Sequence, residues 1–252
     1  MTDVSEILFE FISPDRLAIV SELSLRKQRV SELSKLSKHT VQECSRDLIR
    51  LSRAGFVRKD SNGFYEITNF GRSMLSLLPG LKFLARERNY FLAHDLSFLP
   101  QEFMERIGEL SEGRLVNHAN LVLDHIKEVV MKGREYVWLI SDQIMPRWPG
   151  IESSYTSRNI PIRMIAEPTI DPGVLSEAKA NLLNVEIGIL PKVNIAMALN
   201  ESLAGFCFPG LDGRIDFGAG FSGTDTSFRV WCSDLFRKYW STSRKIGSLS
   251  EL

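Results

Sequence analysis

The sequence predicts a fold of mixed class in two parts: an α+β domain of helices closed by a β-hairpin, followed by an α/β domain. Three observations support this prediction. A short helix, a tight turn and a longer helix are indicated between residues 30 and 54. Two strand-like segments follow, with a turn sequence between them. Beyond residue 111, strand patterns alternate with helix patterns, which is typical of an α/β domain with a mixed, mainly parallel sheet.

Composition and length narrow the class of protein. The chain has 252 residues, of which 44% are hydrophobic and 25% charged, as in globular proteins. The start "MTDVSEILFEF" carries acids where a targeting segment would carry lysines. No uncharged apolar run approaches the roughly 20 residues of a membrane helix. We therefore expect a cytoplasmic protein with no membrane partner. Cys44, Cys207 and Cys232 are far apart, which predicts neither a disulfide framework nor a cysteine-rich zinc site.

The formal net charge of zero conceals a strongly basic segment. Residues 24–59 hold ten basic and three acidic side chains, a net charge of +7. Because phosphate binding depends on the local electrostatic field and not on the charge of the whole chain, this segment predicts a nucleic-acid partner.

Local signals define the N-terminal helices. We expect a first helix over residues 4–12 and a second beginning at Ser13-Pro14. "VSELSKLS" predicts a short third helix. In "TVQE", Thr40 and Glu43 form a capping box that starts a fourth helix, which ends near Gly55. A short helix, a turn and a longer helix are the helix-turn-helix pattern.

A hairpin completes this domain, which we place at residues 1–78. Strands are predicted at Phe56–Lys59 and Phe64–Ile67 around Asn62-Gly63, and Thr68 caps a further helix that stops before Pro79. Three helices followed by a basic hairpin predict a winged helix-turn-helix.

The fourth helix has two faces. Val41, Cys44, Leu48 and Leu51 are expected on the buried stripe, which turns Ile49 and the polar positions outward. Glutamine and arginine side chains on such a face can make bidentate contacts with adenine and guanine in the major groove. The start of the helix is suited to phosphate, and the hairpin to the neighbouring backbone or minor groove. The residues predicted to bind double-stranded DNA are Lys38, His39, Thr40, Gln42, Ser45, Arg46, Arg53, Arg58 and Lys59.

The remainder divides into a helical connector and dimerisation segment at 79–110 and an α/β effector domain at 111–252. A strand is expected from about Arg114. Further strands are predicted at 135–140, 161–166, 184–190, 194–199, 203–208 and 214–221, with helices at 119–132, 145–157, 172–182 and from about Asp225 to Lys245.

Two motif matches in this domain are rejected. "GAGFSG" satisfies GxGxxG through Gly218, Gly220 and Gly223, but only one helix follows it, without the second strand and acid that a dinucleotide site needs. The glycines are better explained by a bulge or by close packing at an edge strand. His125 and Lys127 match the start of an HxKxxxxD motif whose aspartate is replaced by Lys132. We predict no catalytic residues, no metal site and no cofactor.

A small-molecule site is nevertheless expected in the effector domain, because ligands bind beyond the carboxyl ends of strands in open α/β sheets. Residues on the strands or at their ends supply the candidate ligand-binding side chains: Trp138, Asp142, Arg163, Glu167 and Glu201. The alternative is that these residues only cap helices and solvate loops.

The sequence resembles a known family of regulators. "VSELSKLSKHTVQECSRDLIRLSRAGFVRK" and "YEITNFGRSML" resemble the ArsR-like DNA-binding domains of archaeal winged-helix regulators. "HDLSFLPQEFMERIGEL" and "FRVWCSDLFRKYWSTSRKI" are similar to the effector domain of the methanogenesis-regulatory-protein family. The resemblance implies a one-component transcription regulator that combines DNA binding with a sensing domain.

We therefore expect a sequence-specific DNA-binding regulator that forms a homodimer through the helices around residues 70–92 and responds to an unidentified small-molecule effector. Two alternatives remain open: an α/β enzyme with a regulatory winged helix, and a winged helix that contacts only protein.

Overall fold

The computed structural model describes residues 3–37, 40–143, 160–168 and 184–246. The chain divides into two compact units, Met1–Leu78 and Pro79–Leu252. Each unit has its own hydrophobic core and is described separately.

The N-terminal unit is built from helices and a hairpin in the expected order. Its elements are α1 (Val4–Phe11), α2 (Pro14–Leu25), α3 (Val30–Ser37), α4 (Val41–Arg53), β1 (Val57–Lys59), β2 (Tyr65–Ile67) and α5 (Asn69–Ser76). The strands β1 and β2 pair antiparallel, with Arg58 opposite Glu66. Gln28 extends this small sheet, because its main chain bonds to that of Tyr65 on β2 in both directions.

Side chains from every helix and from the hairpin form the core of this unit. Phe11 of α1 stacks on Phe56 with the ring centroids 4.9 Å apart. Leu23 of α2, Leu33 of α3 and Leu48 of α4 complete the centre of the cluster. Complete burial of each such side chain stabilises the fold by about 1.5–3 kcal/mol, and α4 is fixed in the unit mainly by this packing.

The predicted ends of α4 and α5 are confirmed. The Thr40 hydroxyl accepts a hydrogen bond from the Glu43 amide, and the Glu43 carboxylate accepts from the Thr40 amide at 2.9 Å. Gly55 ends α4 at a φ of 83°, a conformation that favours glycine. Thr68 caps α5 by accepting from the Gly71 amide at 3.0 Å.

One local expectation for the N-terminal unit is wrong. Val41 does not join the buried stripe of α4, since 50% of it is exposed. It is the first residue of the helix, beyond the reach of the core. The helix capped by Thr68 stops before Pro79 as predicted, because α5 ends at Ser76; a separate helix, α6 (Leu78–Arg86), then includes the proline. Proline fits the first turn of a helix, where its missing amide hydrogen leaves no bond unmade.

The C-terminal unit combines short helices with one large sheet. After α6 come α7 (Arg88–Ala93), α8 (Gln101–Glu105) and a 3-10 turn (Ile107–Leu110). They are followed by β3 (Arg114–Asn117), α9 (Ala119–Lys132), β4 (Val137–Ile140), β5 (Ile162–Ala166), β6 (Val185–Ile189), β7 (Ala196–Asn200), β8 (Ala204–Cys207), β9 (Ala219–Gly223), α10 (Thr226–Thr242) and β10 (Arg244–Ile246). The helices predicted at 145–157 and 172–182 lie outside the described residues.

The sheet is mixed, but the expectation that it is mainly parallel is wrong. Its strand order is β10-β6-β5-β4-β7-β8-β9-β3. Among the strands that the structure describes, the pairs β4–β5 and β5–β6 are parallel, and the other five pairs are antiparallel. Short links explain the difference, because β7 and β8 are joined through residues 201–203 and a parallel crossover needs roughly a dozen residues or more.

Helices cover both faces of this sheet. Trp138 of β4 stacks on Phe236 of α10, with ring centroids 4.7 Å apart. The neighbouring Leu139 points to the other face and packs with Val129 of α9. Because successive side chains of a strand point to opposite faces, α9 and α10 lie on opposite sides of the sheet.

The segment 79–110 does not form a separate connector. Its buried side chains Phe83, Tyr90, Phe103 and Leu110 belong to the same core cluster as α10 and the sheet. The Trp231 indole of α10 donates a hydrogen bond to the Phe103 carbonyl at 3.1 Å. These helices are therefore part of the α/β unit.

Candidate nucleic-acid interface

Helix α4 presents one polar face to solvent. Cys44, Leu48 and Leu51 on its inner face are completely buried. This burial raises the pKa of the Cys44 thiol to about 11, so the thiol is neutral. The predicted outward positions Gln42, Arg46, Ile49 and Arg53 are exposed, and Ser45 is half-buried. Gln42, Ser45 and Arg46 line a shallow depression at the start of the helix, and Arg46, Ile49 and Arg53 line a second one beside it.

The three arginines on this side of α4 differ in their partners. Within the described residues, Arg46 and Arg53 make no ion pair, whereas Arg50 is bound by Glu10 of α1. Nε and Nη2 of Arg50 donate to the two Glu10 carboxylate oxygens at 2.8 and 2.7 Å. Arg46 and Arg53 therefore keep all their side-chain donors for an external anion, whereas Glu10 already uses the Nε–Nη2 edge of Arg50.

The buried side chain of Arg16 connects α1, α2 and α4. Arg16 of α2 is only 7% exposed. Its guanidinium donates to the Phe9 and Glu10 carbonyls at 2.8 and 2.6 Å and lies 3.6 Å from the Asp47 carboxylate of α4. Nothing in the spacing of Glu10, Arg16 and Arg50 along the sequence indicates that their side chains are in contact.

Basic side chains also lie on the hairpin. Arg58 on β1 donates to Glu66 on β2 at 2.7 Å, so this predicted DNA contact is already paired across the strands. The ammonium of Lys59 lies 5.5 Å from the centroid of the Tyr65 ring. This cation–π contact leaves the charge accessible, because Lys59 is exposed.

Two further basic side chains lie at the base of the hairpin, where both contact the same aromatic ring. Lys27 and Arg29 flank the Phe64 ring, with their charged groups 5.3 and 4.7 Å from its centroid. Lys27 precedes and Arg29 follows Gln28, whose main chain pairs with Tyr65 on β2. The sequence counts these residues in the basic segment, but only the pairing of Gln28 with Tyr65 places them beside the hairpin.

The start of α4 differs from the expectation for a phosphate site. The Thr40 hydroxyl accepts from the Glu43 amide at 3.2 Å and donates to the Glu43 carboxylate at 2.8 Å. Thr40 is thus occupied by the capping box, and Glu43 adds a negative charge to the first turn. Lys38 and His39 lie outside the described residues.

The two rejected motifs of the C-terminal unit have structural explanations. A Cβ on Gly220 would lie 2.6 Å from both the Cys207 Sγ and the Phe206 carbonyl oxygen, so the glycine allows β8 and β9 to approach. The expected edge position is wrong, because β9 lies between β8 and β3. The His125 ring lies between α9 and the sheet, with Nδ1 3.3 Å from the Ser222 hydroxyl. Burial lowers the pKa of His125.

The five predicted ligand-binding residues lie in three separate places. Trp138 and Arg163 are register partners on neighbouring strands and face α10. Trp138 stacks on Phe236, and Arg163 donates to Glu186 at 2.6 Å. Glu201 follows β7 and lies at the opposite end of the strands from the residues that follow β4 and β5. Its carboxylate accepts a hydrogen bond from the Arg134 amide at 3.1 Å. The antiparallel pairing of β7 with β4 is the reason for this separation.

Asp142 and Glu167 are the pair that the structure brings together. They follow β4 and β5, which are parallel neighbours. Partial burial raises the pKa of Asp142, and the charge of Glu167 raises it further. Among the described residues, the buried Oδ1 of Asp142 has no hydrogen-bond partner. Glu167 accepts from the Val193 amide at 2.7 Å.

The part of the chain that the structure describes contains no cluster of three or more His, Cys, Asp or Glu side chains able to hold a metal ion. None of the helices described is long and apolar enough to cross a membrane.

The chain shows only limited similarity to known proteins. No protein-family model and no curated protein sequence matches this chain. The resemblance to the methanogenesis-regulatory-protein family therefore stays a prediction.

Several solved structures are similar at low identity. TrmBL2, an archaeal chromatin protein, is 14% identical, with 97% of this chain and 100% of that chain covered at a TM-score of 0.42. The homodimeric winged helix-turn-helix domain of Mb0332 from Mycobacterium bovis, a possible ArsR-family regulator, is 17% identical. There the coverage is 34% of this chain and 82% of that chain, at a TM-score of 0.30. The dimethyltransferase RosA from Streptomyces davawensis is 12% identical over 72% of this chain and 62% of that chain, with a TM-score of 0.27.

Proposed function

We propose that this protein is a sequence-specific transcription regulator whose N-terminal unit binds double-stranded DNA through α4 and the hairpin. One observation carries the proposal: a capped helix with a buried apolar stripe exposes Gln42, Arg46 and Arg53, and both arginines lack an ionic partner among the described residues. In the major groove, Arg46 and Gln42 would contact base edges, and Arg53 would contact the backbone.

The hairpin would add contacts that are independent of sequence. Lys59 is exposed and not ion-paired with any described residue, which suits it to a phosphate. Arg29 extends the basic surface at the base of the hairpin, whereas Lys27 beside it is paired with Asp60 at 3.4 Å. Arg58 would contact DNA only if Glu66 released it.

A dimer would allow two such units to bind one site. We propose pairing through the segment around residues 70–92, which exposes the large apolar side chains of Phe70, Leu77, Leu81 and Leu92. Two-fold pairing would place half-sites about one helical turn apart, roughly 34–36 Å. Sedimentation of the full chain with and without DNA tests this part, and a stable monomer in both states would contradict it.

The C-terminal unit would serve as the effector domain. We propose that a small molecule binds where β4 and β5 end, beside Asp142 and Glu167. Support comes from the buried Asp142 oxygen that lacks a partner in the described structure and from the proximity of the two carboxyl groups. If this is correct, Asp142→Asn abolishes the response of DNA binding to the effector without changing binding in its absence.

Selection of bound sequences from random duplex DNA tests the DNA-binding proposal. The full chain should enrich a palindromic motif, and its affinity for that motif should fall steeply with salt. If no sequence is enriched at low salt, with or without a metabolite mixture, the basic helix contacts protein and the proposal is wrong.

A further inference from the structure

Arg50 occupies a particular position on α4. It lies one helical turn after Arg46 and three residues before Arg53, on the flank of the exposed face. A cation at this place could reach the phosphate backbone beside the groove. Instead, Nε and Nη2 of Arg50 donate hydrogen bonds to the Glu10 carboxylate, at 2.8 and 2.7 Å.

Glu10 itself is fixed from the other side. Arg16 donates to the carbonyls of Phe9 and Glu10, at the end of α1, where the helix provides no amide donors for its last carbonyls. Its Nε also lies 3.4 Å from the Glu10 carboxylate. Because Arg16 is buried, it holds the end of α1 and the Glu10 side chain in place beside α4.

The cluster is neutral as a whole. Arg16 and Arg50 contribute two positive charges, and Glu10 and Asp47 contribute two negative ones. The hydrogen bond from Arg50 lowers the pKa of Glu10, with a smaller contribution from the charge of Arg16. The Glu10 carboxylate is therefore ionised at neutral pH. Guanidinium groups bind carboxylate and phosphate with the same bidentate geometry, so Glu10 occupies one edge of Arg50, formed by Nε and Nη2, that a phosphate could otherwise use.

We propose that Glu10 sets the sequence-independent affinity of the DNA interface, because it holds the Nε–Nη2 edge of Arg50 away from the phosphate backbone. This inference rests on the proposed DNA-binding function. Phosphate contacts strengthen binding to all sequences alike, whereas base contacts discriminate between them. By removing one phosphate contact from each subunit, Glu10 lowers the affinity for every sequence by a similar factor and leaves the discrimination between sequences to Gln42 and Arg46.

Glu10→Gln tests the inference, because it keeps the size of the side chain and removes the charge that holds Arg50. Affinities for a selected site and for a scrambled duplex are measured between 50 and 200 mM salt. The variant should bind the scrambled duplex more tightly, with a salt slope steeper by about 0.9 per bound subunit. The affinity gain over the wild type should then shrink about 3.5-fold per subunit across this salt range.

Two controls identify the cause. Glu6→Gln removes the same charge one turn earlier on α1, where no ion pair with a described residue exists, and should leave the slope unchanged. The double variant Glu10→Gln/Arg50→Gln should return to the wild-type slope. Glu10→Asp, which keeps the charge beside Arg16 but retracts the carboxylate, gives a second test if Glu10→Gln does not fold; it should steepen the slope by a smaller amount.

The outcomes are distinct. A steeper slope that disappears in the double variant supports the inference. An unchanged slope in folded Glu10→Gln overturns it, as does a steeper slope that persists without Arg50. Wild-type protein that shows no sequence preference in the same titrations contradicts the proposed DNA-binding function itself, whatever the variants do.

Discussion

Replacing Arg46 with alanine should weaken specific DNA binding without harming the fold. Arg46 lies on the exposed face of α4 and makes no ion pair with any described residue. Its removal therefore breaks no ion pair or side-chain hydrogen bond with a described residue, and we expect the free energy of unfolding to change by less than about 0.5 kcal/mol. A bidentate contact between arginine and guanine is worth about 1–3 kcal/mol. The affinity for the preferred site should thus fall by roughly 5- to 150-fold per half-site.

Fluorescence anisotropy titrations of the full chain measure this effect on the selected site and on a scrambled duplex. The ratio of the two affinities should fall, because the base contact discriminates between sequences and the phosphate contacts do not. Arg134→Ala is the matched control: it removes the same charge from an exposed position in the C-terminal unit and should change neither affinity. Equal losses on both duplexes in Arg46→Ala would refute the placement of Arg46 against a base.

Three further predictions concern the hairpin, the helix cap and the α/β unit. Lys59→Ala should weaken binding to all sequences alike and flatten the salt slope by about 0.9 per subunit, as measured in salt titrations; a loss confined to the selected site would contradict a phosphate contact. Thr40→Ala should lower the free energy of unfolding of the N-terminal unit by about 1 kcal/mol in urea denaturation, because it removes the capping box with Glu43. Burial lowers the pKa of His125, so its protonation favours the unfolded chain. Stability should therefore fall as the pH drops below about 6.5, the ordinary value for histidine, and His125→Gln should reduce this acid loss when urea midpoints at pH 7.5 and 5.5 are compared. An identical acid loss in both proteins would mean that other groups cause it.

Much of the N-terminal unit follows from local sequence rules. The capping box at Thr40, the glycine at the end of α4 and the turn between β1 and β2 each depend on residues close together in the chain. Short-range patterns report such features directly, because the groups that interact are separated by only a few residues. Val41 is an exception, since the periodic pattern does not show where the core ends.

The large sheet was less predictable. Strand positions follow from apolar runs, but β7 pairs with β4, which is not its neighbour in the chain, and no local pattern indicates such a pairing. If β7 ran parallel to β4, Glu201 would lie beside Asp142 and Glu167. Because β7 is antiparallel to β4, Glu201 lies at the opposite end of the strands. Alternation of strands and helices predicts an α/β class without fixing strand order.

The interface charges illustrate the same limit. The sequence identifies a basic segment and the exposed face of α4, but it cannot show that Arg50 is paired while Arg46 is not. Glu10 is forty residues from Arg50, and only the packing of α1 against α4 brings them together. Counting basic residues therefore overestimates the cations available for DNA.

The most direct test of the DNA-binding account is photo-crosslinking from two positions of equal exposure. Ile49 on the outer face of α4 is 45% exposed, and Val230 on α10 is 44% exposed. A photoreactive amino acid is placed at each position in turn, and the full chain is irradiated on its selected duplex. The account predicts cross-links to DNA from position 49 and none from position 230. Absence of cross-links from position 49, or equal yields from both positions, would show that α4 does not lie on DNA.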